Sequence, residues 1–377
     1  MQFYLEVPQG KFELKRFPVR KNDLLQAWDA ADEYLLKHLA DAELPAENQC
    51  VVILNDGFGA LAVALHSKSP IAISDSFLSQ QATRCNLRLN ALPESNVQLY
   101  DSLSLPEKQI DSLLIKIPKT LALLEDQLHR LRPFLKPDSR IIAAGMVKNT
   151  PLSVWKILEK MLGPTTTSLA VKKARLIFAT LDSSIVLTEN PYPQSYLLEN
   201  TEWRIHNHAN VFSRDSLDIG ARFLLRHLPV NPAYQDFIDL GCGNGVIGLM
   251  LASLNPQARV KFVDESFMAV NSARLNFAAA FGSQPHTEFI IDDCLSSFAS
   301  NSADCIVCNP PFHQQHAIGE HIARQMFQDA QRVLRKGGEF RVIGNRHLQY
   351  HLILKKLFGD VRRVAANDKF VILSCVN

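Results

Sequence analysis

The chain repeats itself, and that limits its fold more than any other feature. "VVILNDGFGAL" at 51–61 parallels "FIDLGCGNGVI" at 237–247, with Gly57 and Gly59 where Gly243 and Gly245 fall. "DSFLSQQATRCN" lines up with "ESFMAVNSARLN", setting Asp75 opposite Glu265 and Arg84 opposite Arg274. "LLIKIPKT" takes the place of "IVCNPPF", and "LKPDSRIIAAG" matches "LRKGGEFRVIG". Four echoes about 190 residues apart, in one order, mark a tandem duplication. Each copy must bury its own core, and 377 residues suffice for two ordinary domains.

The second copy alternates strand and helix patterns. "FIDLGCGNGVIGLML" reads as strand, glycine turn and helix; "RVKFVDESFMAVNSARLNFAA" as strand, acidic tip and helix; "ADCIVCNPPF" as strand and loop. "FQDAQRVLRKGGEFRVIGNR" follows as helix, turn and strand, and "VRRVAANDKFVILSCV" as a terminal hairpin. Such alternation predicts an α/β fold, a doubly wound and mostly parallel sheet with ligands at the carboxyl ends of its strands. The first copy follows this plan with losses. Ile53 stands for Asp239, Asn55 for Gly241, and Ile117, Pro118, Lys119 and Thr120 for Asn309 to Phe312. The expectation is a degenerate domain at 1–190 and a catalytic one at 191–377, their boundary in the Pro-Tyr-Pro stretch 181–202.

"DLGCGNGVIG" permits two ligands. Gly243, Gly245 and Gly248 satisfy the GxGxxG of a dinucleotide fold, with Asp264 at the spacing of a ribose-binding acid. Glycines admit positive backbone angles and close ligand approach, and the helix start behind them favours an anionic group. Asp239 separates the two, because a carboxylate before the glycines repels a pyrophosphate but accepts hydrogen bonds from an ammonium. S-adenosylmethionine carries one. In this reading Asp264 takes the ribose hydroxyls, and Asp293, rather than its neighbour Asp292, takes the adenine amine.

"CNPPFHQQH" at 308–316 supplies the chemistry. A sulfonium methyl is already electrophilic, so the protein must chiefly position a nucleophile in line with it. An amine on an aromatic ring is a poor nucleophile because its lone pair is spread into the ring. The Asn309 side-chain carbonyl and the Pro310 main-chain carbonyl can accept both amine protons, favouring a pyramidal nitrogen and stabilising its developing positive charge. Phe312 would stack on the base, the prolines at 310 and 311 stiffen the backbone, and Pro311 and His313 stand as substrate contacts. His313 and His316 are read as polar contacts rather than bases, and "HQQH" lacks the third ligand of a metal site.

The first residues lack the pattern of a secretory signal, no apolar run approaches bilayer length, and the cytoplasm is expected. Seven scattered cysteines read as reduced thiols, and Cys305 and Cys308, a CxxC inside an apolar run, as structural. Net charge is only +2, yet 116–175 holds 12 basic and 4 acidic residues, and 332–363 holds 9 and 2. Together the two segments could form a phosphate-binding surface if the fold brings them together, or they are solvated helix faces. Lys172, Lys173 and Arg175 are the candidate RNA contacts in the first copy. Oligomeric state is not legible.

Asp-Leu-Gly-Cys-Gly-Asn-Gly together with Asn-Pro-Pro-Phe resembles class I methyltransferases acting on planar nitrogen. Within them, "QAWDAADEYLL", "GPTTT", "NHANVFSRDSLDIGARF" and "CNPPFHQQHA", beside an inert first copy, resemble the bacterial ribosomal RNA guanine-N2 methyltransferases, the large-subunit branch more than the small-subunit one. The resemblance covers essentially the whole chain. It implies two tandem Rossmann-like domains, the first degenerate and helping to hold ribosomal RNA, with S-adenosylmethionine as cofactor and N2-methylguanosine as product. It also implies cofactor roles for Asp239, Gly241, Gly243, Asp264 and Asp293, and amine recognition by Asn309, Pro310 and Phe312. "VFSRDSLDIG" reads as a lid in which Phe212 covers cofactor or base, while Asp218 and Gly220 begin a helix near the methionine end. Guanine-N2 of small-subunit ribosomal RNA, adenine-N6 or protein glutamine as acceptor, and a non-catalytic RNA-binding assembly factor, are the alternatives.

Overall fold

The computed structural model describes residues 3–19, 24–282, 286–311 and 316–377, which fall into two compact units, Met1–Pro191 and Tyr192–Asn377. Among the described residues each unit holds a two-stranded hairpin and a seven-stranded sheet. In the first unit the hairpin pairs Tyr4–Val7 with Gly10–Glu13. Its sheet strands are Val51–Leu54, Ile71–Ser74, Gln98–Asp101, Ile110–Lys116, Leu135–Met146, Thr165–Thr167 and Ala174–Ala179. In the second unit the hairpin pairs Gln194–Leu197 with Arg204–Asn207, and the sheet strands are Asp236–Leu240, Arg259–Asp264, Glu288–Ile291, Ala303–Cys308, Leu334–Asn345, Arg362–Ala366 and Phe370–Val376.

Numbered along the chain, the strands of both sheets lie in the order third, second, first, fourth, fifth, seventh, sixth. The first five run parallel and the seventh antiparallel to the fifth. The repeated sequence is therefore a repeated topology, α/β with mostly parallel sheets. Matched caps reinforce it. Ser76 accepts from the Ser79 N–H at 3.2 Å to start helix Phe77–Leu89, and Ser266 accepts from Ala269 at 3.1 Å to start Phe267–Phe281. Both fit the rule that a short hydroxyl side chain satisfies an orphan amide of the first turn. Neither hairpin falls in the four echoes. Their four-residue strands are too short to show alternation, and the first strand of the second hairpin lies inside the stretch read as a boundary.

The central strands Val51–Leu54 and Asp236–Leu240 are buried along their whole length, as expected of strands covered on both faces. Covering is tight in the second unit. Helix Val246–Leu254 lies so close to the next strand that a Cβ on Gly248 would fall 2.2 Å from a ring carbon of Phe262. Cys305 and Cys308 are fully buried and join apolar clusters on opposite faces of the sheet.

The order of strands reverses between the first and the fourth, and ligands of open α/β sheets lie in the crevice at that reversal. Here Leu240 pairs with Cys308, so the glycine loop and Asn309 leave the sheet side by side.

Candidate active site

Asp239 is fully buried in its strand. Its Oδ2 accepts the N–H of Gly248 at 2.8 Å, while Oδ1 has no partner among the described residues. Burial, partly offset by that hydrogen bond and reinforced by the charge of Asp264, pushes its carboxyl up to about 7. After it, Gly241, Gly243 and Gly245 have φ of +74°, +54° and +81°, the left-handed region in which a side chain is strained. A Cβ on Gly245 would strike Ala273 at 2.7 Å, whereas one on Gly243 would meet nothing within 4 Å. The loop thus leaves open space over its middle glycine, beside an orphaned carboxylate oxygen. That pairing suits a ligand offering a cation and a small group that lies against the main chain, as the methionine end of S-adenosylmethionine does.

Asp264 ends the second strand, half-buried. Its Oδ2 accepts from the Gly243 N–H and its Oδ1 from Ser266, both at 3.0 Å, so it also braces the glycine loop. Burial raises its carboxyl despite those bonds. The neighbours Asp292 and Asp293 divide labour. Asp292 is buried and saturated, accepting from the Asp293 N–H, the Ser296 hydroxyl, and both the N–H and hydroxyl of Ser297. Asp293 is half-buried, accepts from Gln325 Nε2 at 2.8 Å, and is raised chiefly by burial. Only Asp293 keeps acceptor capacity for a ligand.

Asn309 follows Cys308 directly and is half-buried, with Pro310 buried and Pro311 exposed. Its Nδ2 donates to Asp218 Oδ2 at 3.5 Å, and its Oδ1 is buried with no partner among the described residues. Phe312 and His313 lie outside the described residues; His316 opens helix His316–Val333, of which only the backbone is described there. Asp239, Gly241, Gly243, Asp264, Asp293, Asn309 and Pro310 therefore gather at the carboxyl end of one sheet. Lys172, Lys173 and Arg175 belong to the other unit.

A buried amide cluster behind the loop was not read from the sequence. Asn244 Nδ2 donates to Asn207 Oδ1 at 2.9 Å and to the Tyr196 hydroxyl at 3.2 Å, and its Oδ1 accepts from Val246. Asn276 Nδ2 donates to the carbonyls of His206 and Asn244, while its Oδ1 accepts from the His206 N–H. Together they tie the hairpin, the glycine loop and helix Phe267–Phe281 into one support. The only signal was asparagine at helix and loop positions where an exposed residue would also serve.

The first copy fills the corresponding place with its own side chains. Asn55, at φ +61°, donates to the Lys116 carbonyl at 3.2 Å and to Gln127 Oε1 at 2.9 Å, and Gln127 donates back at 2.9 Å. The ammonium of Lys116 lies 2.8 Å from Asp29 and 2.7 Å from Asp32. The expectation that this copy lost its acid needs a correction. Position 53 has none, but Asp56, which stands where Cys242 does, accepts from the Ala62 N–H at 2.8 Å, and Ala62 matches Gly248. The carboxylate has moved three positions and holds the same amide, with burial again pushing it to about 7.

Over 374 residues the chain is 51% identical to the ribosomal RNA large subunit methyltransferase G of Erwinia tasmaniensis, covering 99% of this chain and 98% of that one. Over 377 residues it is 50% identical to that of Aeromonas salmonicida, covering 100% of both. The chain belongs to the ribosomal RNA large subunit methyltransferase G family. Two family models divide this methyltransferase: the RLMG N-terminal domain matches 2–183, and the Methyltransferase small domain matches 202–374. Its fold is shared by a T. thermophilus 16S rRNA N2 methyltransferase solved with AdoMet and guanosine, at a TM-score of 0.77 and 20% identity over 100% of this chain and 98% of that one. The enzyme is thus an S-adenosylmethionine-dependent ribosomal RNA methyltransferase.

In this family member the proposed lid is partly helical. Phe212 is 58% exposed, Gly220 is buried, and Asp218 caps helix Ile219–Leu225 by accepting from Ala221 at 2.8 Å. The basic segments prove less available than their counts imply. Arg130 pairs with Asp126, Lys136 with Asp111, Lys160 with Glu125, Arg332 with Asp329, Arg335 with Asp236 and Asp304, and Arg341 with Glu339. Lys172 and Lys173 form an exposed turn at φ of 48° and 64°, where Lys172 meets Glu33 at 2.8 Å. Arg175 is half-buried on the strand that follows. Among the described residues no helix is long and apolar enough to cross a membrane.

Proposed function

We propose that the second unit methylates the exocyclic N2 amine of a guanine in large-subunit ribosomal RNA, in the cytoplasm where that RNA resides, and that the first unit helps to hold the RNA. The observation that carries the reading is Asn309 Oδ1, a buried acceptor without a partner among the described residues, at the strand end beside the Asp239 carboxylate and the glycine loop. The names of the relatives support the large-subunit assignment.

S-adenosylmethionine, when bound, supplies an electrophilic methyl group. The residues of the chain do the rest. Asp239 Oδ1 takes the ammonium of the methionine end, Gly241 and Gly243 let the main chain approach it, Asp264 takes the ribose hydroxyls, and Asp293 accepts from the adenine amine. Asn309 Oδ1 and the Pro310 carbonyl accept the two protons of the guanine amine, turning its lone pair away from the ring, and the same dipoles favour the cation that develops on nitrogen. The methylated ammonium is acidic enough to release its proton to water, so no strong base is needed.

Nucleoside analysis of separated ribosomal RNAs tests the assignment. Cells lacking the protein should lose N2-methylguanosine from large-subunit RNA and keep it in small-subunit RNA. Loss confined to small-subunit RNA, or loss of N6-methyladenosine instead, would overturn it.

The first unit has its own test. Replacing Lys172, Lys173 and Arg175 with alanine should weaken RNA binding and flatten the dependence of log affinity on log salt by about one for each phosphate no longer neutralised, leaving cofactor affinity alone. Lys173 should carry more of the effect than Lys172, whose ammonium already meets Glu33. An unchanged slope would return all three to a solvated face.

A further inference from the structure

An asparagine amide has an oxygen end and a nitrogen end of nearly equal shape, and Asn309 serves the proposed reaction only if its oxygen meets the incoming amine. We propose that Asp218 is a positioning residue that fixes this orientation, and that Gly220 is glycine to leave room for the Asp218 carboxylate. The inference rests on the role of Asn309 proposed above and extends it to two residues whose part so far was to start a helix.

Asp218 Oδ2 lies 3.5 Å from Asn309 Nδ2, at the long end of hydrogen-bonding range. An ionised carboxylate only accepts, so only the NH2 end of the amide can face it. The opposite end, Oδ1, is the atom left without a partner among the described residues. The same Asp218 Oδ2 accepts the Ala221 N–H at 2.8 Å, which anchors the carboxylate to the first turn of helix Ile219–Leu225. A negative acceptor on the NH2 also polarises the amide toward Oδ1, making that oxygen the better acceptor.

Gly220 supplies an independent observation. It is buried, and a Cβ there would lie 2.9 Å from Asp218 Oδ2 and 3.4 Å from Phe370 Cε1. Its backbone is not in the left-handed region, so the conformation does not require glycine. Alanine is the better helix former, and what it would displace is the carboxylate.

Five variants separate positioning from folding: Asp218→Ser, Asp218→Asn, Gly220→Ala, Asn309→Ala, and Asp218→Ser combined with Asn309→Ala. Each is assayed for kcat on ribosomal RNA at saturating S-adenosylmethionine, with cofactor Kd and melting temperature measured in parallel. Serine still caps the helix but is too short to reach Asn309, so Asp218→Ser should lower kcat by about tenfold or more. Asp218→Asn should recover most of that loss, since its side-chain oxygen can accept from both Ala221 and Asn309. Gly220→Ala should lower kcat similarly with cofactor Kd unchanged, and because the displaced Oδ2 also caps Ala221 a modest fall in melting temperature is expected. In the Asn309→Ala background, Asp218→Ser should cost less than about a further twofold, because the amide it orients is gone.

An equal loss from Asp218→Ser in both backgrounds would overturn the proposal, as would wild-type kcat in Asp218→Ser and Gly220→Ala while Asn309→Ala is impaired. Full activity in Asn309→Ala alone would instead sink the role given to Asn309.

Discussion

Replacing Asn309 with alanine should lower kcat for methyl transfer to ribosomal RNA by roughly 10²–10³-fold, while cofactor Kd stays within about a factor of two. The loss is large because the amide oxygen is one of only two acceptors assigned to the amine, and it acts where charge develops. Binding of the cofactor should be spared, because the loop that would hold it leaves the sheet from a different strand. Asn309→Asp should be no rescue. It restores an oxygen, but a carboxylate cannot donate to Asp218, whose Oδ2 lies 3.5 Å from the wild-type nitrogen, and two anions would face each other there. Single-turnover measurement at saturating cofactor reads the chemical step directly. Wild-type turnover in Asn309→Ala would remove the amide from the mechanism.

Asp239→Asn should have opposite effects on binding and on stability. The substitution keeps an oxygen for the Gly248 N–H but removes the charge that an ammonium needs, so affinity for S-adenosylmethionine should fall by about two orders of magnitude or more. Burial holds the wild-type carboxyl protonated up to about 7, and binding a cation there requires losing that proton. Wild-type affinity should therefore climb as pH rises through about 7 and level off above it, while the asparagine variant shows no such climb.

For folding, the sign reverses. The folded carboxyl titrates at about 7 against an ordinary 3.8, so the native chain holds more protons than the unfolded one between those values. Its contribution to stability is present below the ordinary value and is lost as pH rises through about 7. Without cofactor, Asp239→Asn should thus be more stable than wild type at pH 8 by about 2–4 kcal/mol, a gap that closes toward pH 4. Calorimetric binding and thermal melts across that range check both halves. A pH-independent difference between the two proteins would show that the Asp239 carboxyl is not the titrating group.

Much of this was legible in the sequence because it lies in local runs. The repeated α/β plan with mostly parallel sheets follows from alternating elements that recur in sequence, although their strand order does not, and the gathered positions sit at strand ends, where glycines, acids and an Asn-Pro-Pro announce them. What the sequence hid depends on pairing across distance. The amide cluster of Asn207, Asn244 and Asn276 joins residues 32 to 70 positions apart, each unremarkable alone. Charge counting misread 116–175 and 332–363 for the same reason, since the acids that pair with Lys116, Lys136, Lys172 and Arg335 lie outside those windows. Asp56 shows a third limit: position-by-position comparison found an acid missing at 53, although the amide it would have served had found another three residues on.

The Lys116, Asp29 and Asp32 triad limits how the interior of the first copy can change. Its ammonium and one of its carboxylates are largely shielded from water, with side chains 14% and 6% exposed. Removing one member of such a group strands the charge of its partner, typically at roughly 3–5 kcal/mol. A glycine regained at 55 would remove the Asn55–Gln127 amide pair but leave that triad in place. Substitutions in this half are thus cheaper at solvated positions away from the proposed RNA contacts than among these three side chains.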